Sequence, residues 1–178
     1  MHYLRDGVFI LGWFSLLGAV WFWWALEAPP RRARPWLGAG LALSIVGALV
    51  GGLYTWRFWS TQSMLDGRME IFGVVIAVAG VAAGVAWIIL TRTGRSPSVP
   101  LAVAVIVALQ FVPLAYLLGD WGLVVLALGQ LVLIVLASRF AKRRGLAPSC
   151  TIGVVMGVSL LGSALVAAVL WLPRALAA

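Results

Sequence analysis

Five acids are the whole carboxylate complement of this 178-residue chain, and four of them gather at one end of its apolar runs: Asp6, Asp66, Glu70 and Asp120. Arg57 lies five residues before a turn near Gln62 and Asp66 four after it, so the two should face each other across that turn. Glu70 follows Asp66 by one helical turn on the same face, with Arg68 on another. A carboxyl at the edge of hydrocarbon, beside Ile71 and Phe72, is the type of group that protonates an apolar substrate. Trp56 and Trp59 would offer aromatic faces to a carbocation. Arg57 and Arg68 would hold the anionic end of an amphipathic molecule. Local structure explains the same acids without chemistry: Ser63-x-x-Asp66 fits a capping box, and acids are favoured at a helix N-terminus.

Other chemistries are excluded by absence. Cys150 is alone and His2 is the only histidine, so an internal disulfide, a thiolate cluster, a histidine-based metal site and a Ser-His-Asp triad are unavailable to one chain. No metal and no cofactor are expected.

The elements that must carry these residues are membrane helices. The chain is 63% hydrophobic and 10% charged, with a mean hydropathy of +1.09, against about 25% charge in soluble domains. Six runs, roughly 7–28, 36–58, 68–91, 99–118, 122–140 and 150–172, meet the length of about 20 residues that crosses a bilayer. This predicts an all-α, polytopic membrane helix bundle, one domain over 1–178 with six transmembrane helices. The first run is too long for a signal peptide and is followed by no small-residue cleavage site, so it is expected to stay. A net charge of +8 would suggest nucleic acid in a soluble protein. Here the basic residues cluster between apolar runs, which excludes that partner. Arg31, Arg32, Arg34, Arg92, Arg95, Arg139, Lys142, Arg143 and Arg144 fall on alternate connections, and only Arg5, Arg57, Arg68 and Arg174 on the others. The positive-inside rule then places both termini outside. Trp24, Trp36 and Trp87 on one side, with Trp56, Trp59, Trp121 and Trp171 on the other, read as interfacial belts. Glu27 ends the first helix, with Arg31 as the expected counter-ion.

Two small-residue ridges share one spacing: Gly40, Ser44, Gly47 and Gly51 in the second run, and Gly73, Ala77, Gly80 and Gly84 in the third. Folded about the Gln62 turn they would meet at equal depth. Gln110 and Gln130 stand ten and nine residues from the Gly119–Gly122 turn, so a mid-membrane amide pair is expected, with Gln110 alternatively facing a ligand beside Pro113.

Met69-Glu70-Ile71-Phe72-Gly73 and Gln110-Phe111-Val112-Pro113-Leu114-Ala115 resemble segments of uncharacterised small multi-pass membrane proteins of GC-rich bacteria, in which an acid opens one helix and an HF-x-PLA phrase lies in the next. Gln110 stands where those carry histidine. In general build the chain also resembles integral-membrane terpene cyclases. Six helices in this length resemble vitamin-transporter binding subunits too, but those keep their termini in the cytoplasm, opposite to the charge bias here. The expectation is an enzyme of the bacterial cytoplasmic membrane acting on an apolar isoprenoid or lipid-like substrate by acid-initiated cyclisation or isomerisation. Glu70 and Asp66 are its candidate catalytic residues; Arg57, Arg68, Gln110, Trp56, Trp59 and Asp120 are its candidate substrate contacts. The alternatives are a binding or transport module for an amphipathic small molecule and an accessory subunit of a membrane complex. Membrane lipid, an apolar or amphipathic small molecule and a second copy of the chain, as a homo-oligomer, are the expected partners.

Overall fold

A computed structural model describes residues 3–178; His2 lies outside the described residues. Among the described residues the chain forms six α-helices, each long and apolar enough to cross a membrane, and no strand. They are α1 (Leu4–Ala25), α2 (Arg34–Arg57), α3 (Met69–Arg92), α4 (Val99–Leu118), α5 (Gly122–Arg144) and α6 (Pro148–Ala177), with one 3₁₀ turn over Ser96–Ser98. α1 ends three residues earlier than the apolar run suggests, because the tandem Pro29–Pro30 disfavours helix in the residues before it. α5 runs on through its basic tail to Gly145, whose φ of +62° closes the helix in the left-handed conformation. α6 is the longest, at 30 residues.

α1 lies between α2 and α6 and packs along both. Descending α1, Gly12, Ser15, Gly18 and Phe22 meet Gly51, Gly47, Ser44 and Gly40 of α2, the order of an antiparallel pair. A Cβ on Gly51 would collide with the Gly12 backbone, and one on Gly47 with the Ser15 hydroxyl. On its other side α1 meets α6: a Cβ on Gly153 would sit 2.8 Å from the Trp21 carbonyl oxygen, and one on Gly157 3.1 Å from the Phe22 ring. Glycine at these positions lets backbones approach closely, the main source of packing energy when the surroundings are as apolar as the side chains. The central core runs from Ile10, Leu11 and Phe14 through Phe111 and Leu114 to Met156 and Leu160. Val8, Phe58 and Ala175 form a smaller cluster that brings both ends of the chain to one end of the bundle.

The expected meeting of the α2 and α3 ridges is corrected. The α2 ridge is occupied by α1, and α3 packs along α4. Gly73, Gly80 and Gly84 have no atom within 4 Å of where a Cβ would stand. The reason is generic fit: a small-residue ridge accepts any helix with a complementary one, and α1 supplies Gly12, Ser15 and Gly18. α3 reaches α1 only through long aromatic side chains. Phe72 contacts Phe9 and Trp13 at one end, at ring separations of 5.7 and 6.2 Å. Trp87 stacks on Trp24 at the other, at 5.8 Å.

The amide pair is also rearranged. Gln130 is fully buried and donates to the Ser159 hydroxyl of α6 at 2.9 Å, while half-buried Gln110 makes no side-chain hydrogen bond.

Replacing Gly51 by leucine should therefore destabilise the protein by about 1–3 kcal/mol or more, as overpacking does. Gly80→Leu should leave the melting temperature in detergent within error of the parent. A comparable loss in both variants would mean that α3 is packed against another helix through its ridge.

Candidate functional site

Two regions concentrate polar chemistry, one at each end of the bundle. At the end holding the termini, the connection between α2 and α3 is pinned to the first turn of α1. Asp6, 1% exposed, accepts hydrogen bonds from the Ser63 hydroxyl and from the Met64 backbone N–H, the latter at 2.9 Å. Arg5 pairs with Asp66 and also donates to the Trp59 carbonyl, with its guanidinium 5.5 Å from the Trp59 ring centre. This is the one ion pair among the described residues. Asp66 additionally accepts from the Ser63 backbone N–H at 2.8 Å. That bond and the Arg5 guanidinium hold its carboxyl below the ordinary value of 3.8. Ser63-x-x-Asp66 thus closes its own turn rather than capping α3. The helix starts only at Met69, after Gly67 at a φ of +73°.

The sequence paired Asp66 with Arg57; the structure pairs it with Arg5 instead, because Arg57 points along its own helix, 5.6 Å from the Phe58 ring. Arg68 and Glu70 are exposed beside the start of α3 and form no ion pair. Asp120 accepts from the Gly122 N–H at 2.9 Å and borders a 300 Å³ cavity with Phe14, Ser163 and Trp171. Trp56 and Trp59 line a separate 470 Å³ groove with Trp13, Leu16 and Gly52. The eight residues singled out in the sequence therefore lie in several places and share no single pocket.

The larger cavity lies at the opposite end, where sequence reasoning did not look. A groove of about 1120 Å³ opens between α1 and α3, bordered by Val103 of α4. Its wall carries Trp23, Trp24 and Glu27 from α1 and the residues just after it, with Gly84, Trp87 and Ile88 from α3. The small side of α3 at Ala83 and Gly84 leaves the width, and the aromatic bridge between Trp24 and Trp87 holds the helices at that separation. Trp21, behind Trp24 at 5.4 Å, continues the stack into the core. Trp24 and Trp171, read as belt residues, are instead half-buried: Trp24 lines this groove and Trp171 covers Gly7. Glu27 makes no ion pair among the described residues, so the contact expected with Arg31 is absent. A signal was present in the Trp21–Trp24 aromatic run followed by an acid, but only the splaying of α3 from α1 turns it into a cavity.

No protein-family model matches the chain, and neither a curated protein nor a solved structure is significantly similar to it.

Removal of Asp6 by Asp6→Ala should cost about 1–3 kcal/mol, since the buried Ser63 and Met64 donors lose a charged acceptor. Arg57→Ala should be silent in the same thermal unfolding assay. Asp66 has a lowered folded-state pKa, so its contribution is complete above the unfolded value and disappears as pH falls through the folded one. The stability difference between the parent and Asp66→Asn should accordingly be largest above about pH 4 and shrink on further acidification. A difference that grows on acidification would show that the Arg5 contact is not what lowers the Asp66 carboxyl.

Proposed function

We propose that the chain is a multi-pass protein of a bacterial inner membrane, with both termini outside, that binds an apolar or amphipathic small molecule in the groove between α1 and α3. The observation that carries this reading is the groove itself: about 1120 Å³, walled by three tryptophans, with one acidic side chain at its edge. Ligand sites for small molecules are typically 300–1,000 Å³, mostly apolar, with few polar groups that orient the ligand. The basic clusters Arg31–Arg34, Arg92 with Arg95, and Arg139–Arg144 at this end support a cytoplasmic position for the groove under the positive-inside rule.

Chemistry on an isoprenoid is the second reading. An acid that starts a cyclisation must stand at the reacting carbon in a site without water. Glu70 lines none of the cavities described above, whereas Glu27 borders the groove together with Trp23 and Trp87, whose indoles suit a developing carbocation. That observation favours Glu27 as the acid if the groove is catalytic.

A neutral polyprenyl probe bearing a photoactivatable group, incorporated in nanodiscs with the protein, should label peptides containing Trp23–Glu27 and Trp87–Ile88 in preference to the rest. Trp87→Ala should reduce that labelling several-fold. Labelling spread evenly over the exposed apolar surface would remove the binding reading. Conversion of a polyprenyl substrate by the parent but not by Glu27→Gln would promote the enzymatic one.

A further inference from the structure

The groove does not end at Glu27. A second cavity of about 480 Å³ continues it to the basic end of the bundle, and Trp24, Glu27 and Trp87 line both. The far part is bordered by polar groups, Thr91, Ser96 and Ser149, together with the prolines of the 3₁₀ turn and of the start of α6. An apolar body in the first cavity would thus place its polar end among Glu27, two stacked indoles and three hydroxyls.

We infer that this polar end is cationic: the preferred ligand is a lipophilic cation, a hydrophobic molecule carrying an ammonium or other delocalised positive group. This inference rests on the groove being a ligand site. Two features agree on the sign. Glu27 is the only charged side chain lining either cavity, and it has no basic partner within 4.0 Å among the described residues. Trp24 is stacked between Trp21 and Trp87, and the outer face of the exposed Trp87 is the one in this stack left to attract a cation through its ring quadrupole. The threonine and serine hydroxyls both donate and accept hydrogen bonds, so they solvate a polar end of either sign.

An anionic head group would meet the opposite situation. Arg31, Arg92 and Arg95 are close in sequence, yet none of them lines either cavity, so a phosphate or sulfonate would sit against Glu27 without a counter-ion. The net charge of +8 repels a cation at long range. That field is screened over about 8 Å at physiological ionic strength, so at contact distance the Glu27 carboxylate outweighs it. The local contact decides the sign.

The test uses two ions of nearly equal size and shape and opposite charge, tetraphenylphosphonium and tetraphenylborate, with the full chain in nanodiscs of neutral lipid. Equilibrium dialysis should show saturable binding of the phosphonium. Glu27→Gln should weaken it about tenfold or more, the scale of a contact ion pair with a desolvated aromatic contribution. Glu27→Asp should retain part of the affinity, and tetraphenylborate should not compete. Glu27 is exposed, so its replacement should leave the fold intact, which an unchanged melting temperature would verify. Equal competition by the two ions, or phosphonium binding unaffected by Glu27→Gln, overturns the cationic assignment while labelling by the neutral polyprenyl probe still upholds the groove. Loss of both phosphonium binding and preferential polyprenyl labelling overturns the assignment and the proposed function together.

Discussion

Close backbone approach along α1 is the constraint from which the rest of the arrangement follows. The glycines of α1 are all taken up by α2 and α6, which leaves no glycine face of α1 for a third helix. α1 is occupied by α2 through Gly12 and Gly51 and by α6 through Gly153 and Gly157. α3 is left to pack on α4, and its own glycines face open space. The gap between α3 and α1 is therefore a consequence of tight packing elsewhere, and the tryptophan-walled groove is that gap.

A helix held on one side needs its ends fixed, and different physics fixes each end. At the end holding the termini, polar contacts draw the connection before α3 onto α1: Asp6 receives two donors from it, and Arg5 binds both the Trp59 carbonyl and Asp66. Burial of Asp6 at 1% exposure is tolerable only because Ser63 and Met64 supply donors. At the other end, aromatic stacking of Trp24 on Trp87 spans the distance without bringing the backbones together. Aromatic rings bridge α1 and α3 at both ends, Phe9 and Trp13 to Phe72 and Trp24 to Trp87, and the groove opens beside the second bridge.

How much of this was legible in the sequence divides along the same line. Helix number, approximate spans and the turns at Gly119 and Gly145 follow from apolar run length and from glycine and proline placement, which are local properties. Partner choice is not local. The α2 ridge identified the right residues and the wrong neighbour, since spacing specifies a packing face but not which helix fills it. Gln130 was correctly suspected of needing a partner, but Ser159 of α6 supplies it, a pairing across 29 residues of sequence that no turn-centred symmetry suggests. Arg5 and Asp66 are separated by 61 residues and were missed for the same reason.

The acids show how structure redirects a functional argument. Their clustering at one end of the bundle marked that end as a site, yet three of the four there are engaged in holding the backbone. Asp6 accepts from Met64, Asp66 from Ser63 and Asp120 from Gly122. A carboxylate saturated by backbone donors and an arginine has little capacity left for a ligand. Two acids remain that have neither a side-chain hydrogen bond nor an ion pair among the described residues, Glu70 and Glu27. Glu70 stands on the exposed first turn of α3, where the helix dipole already favours a negative charge. Glu27 stands just past the end of α1, where the dipole disfavours one, and it borders the apolar groove between α1 and α3. An unfavourably placed charge beside a cavity is the one whose energy a bound cation would most improve, and under the function proposed above Glu27 is that charge.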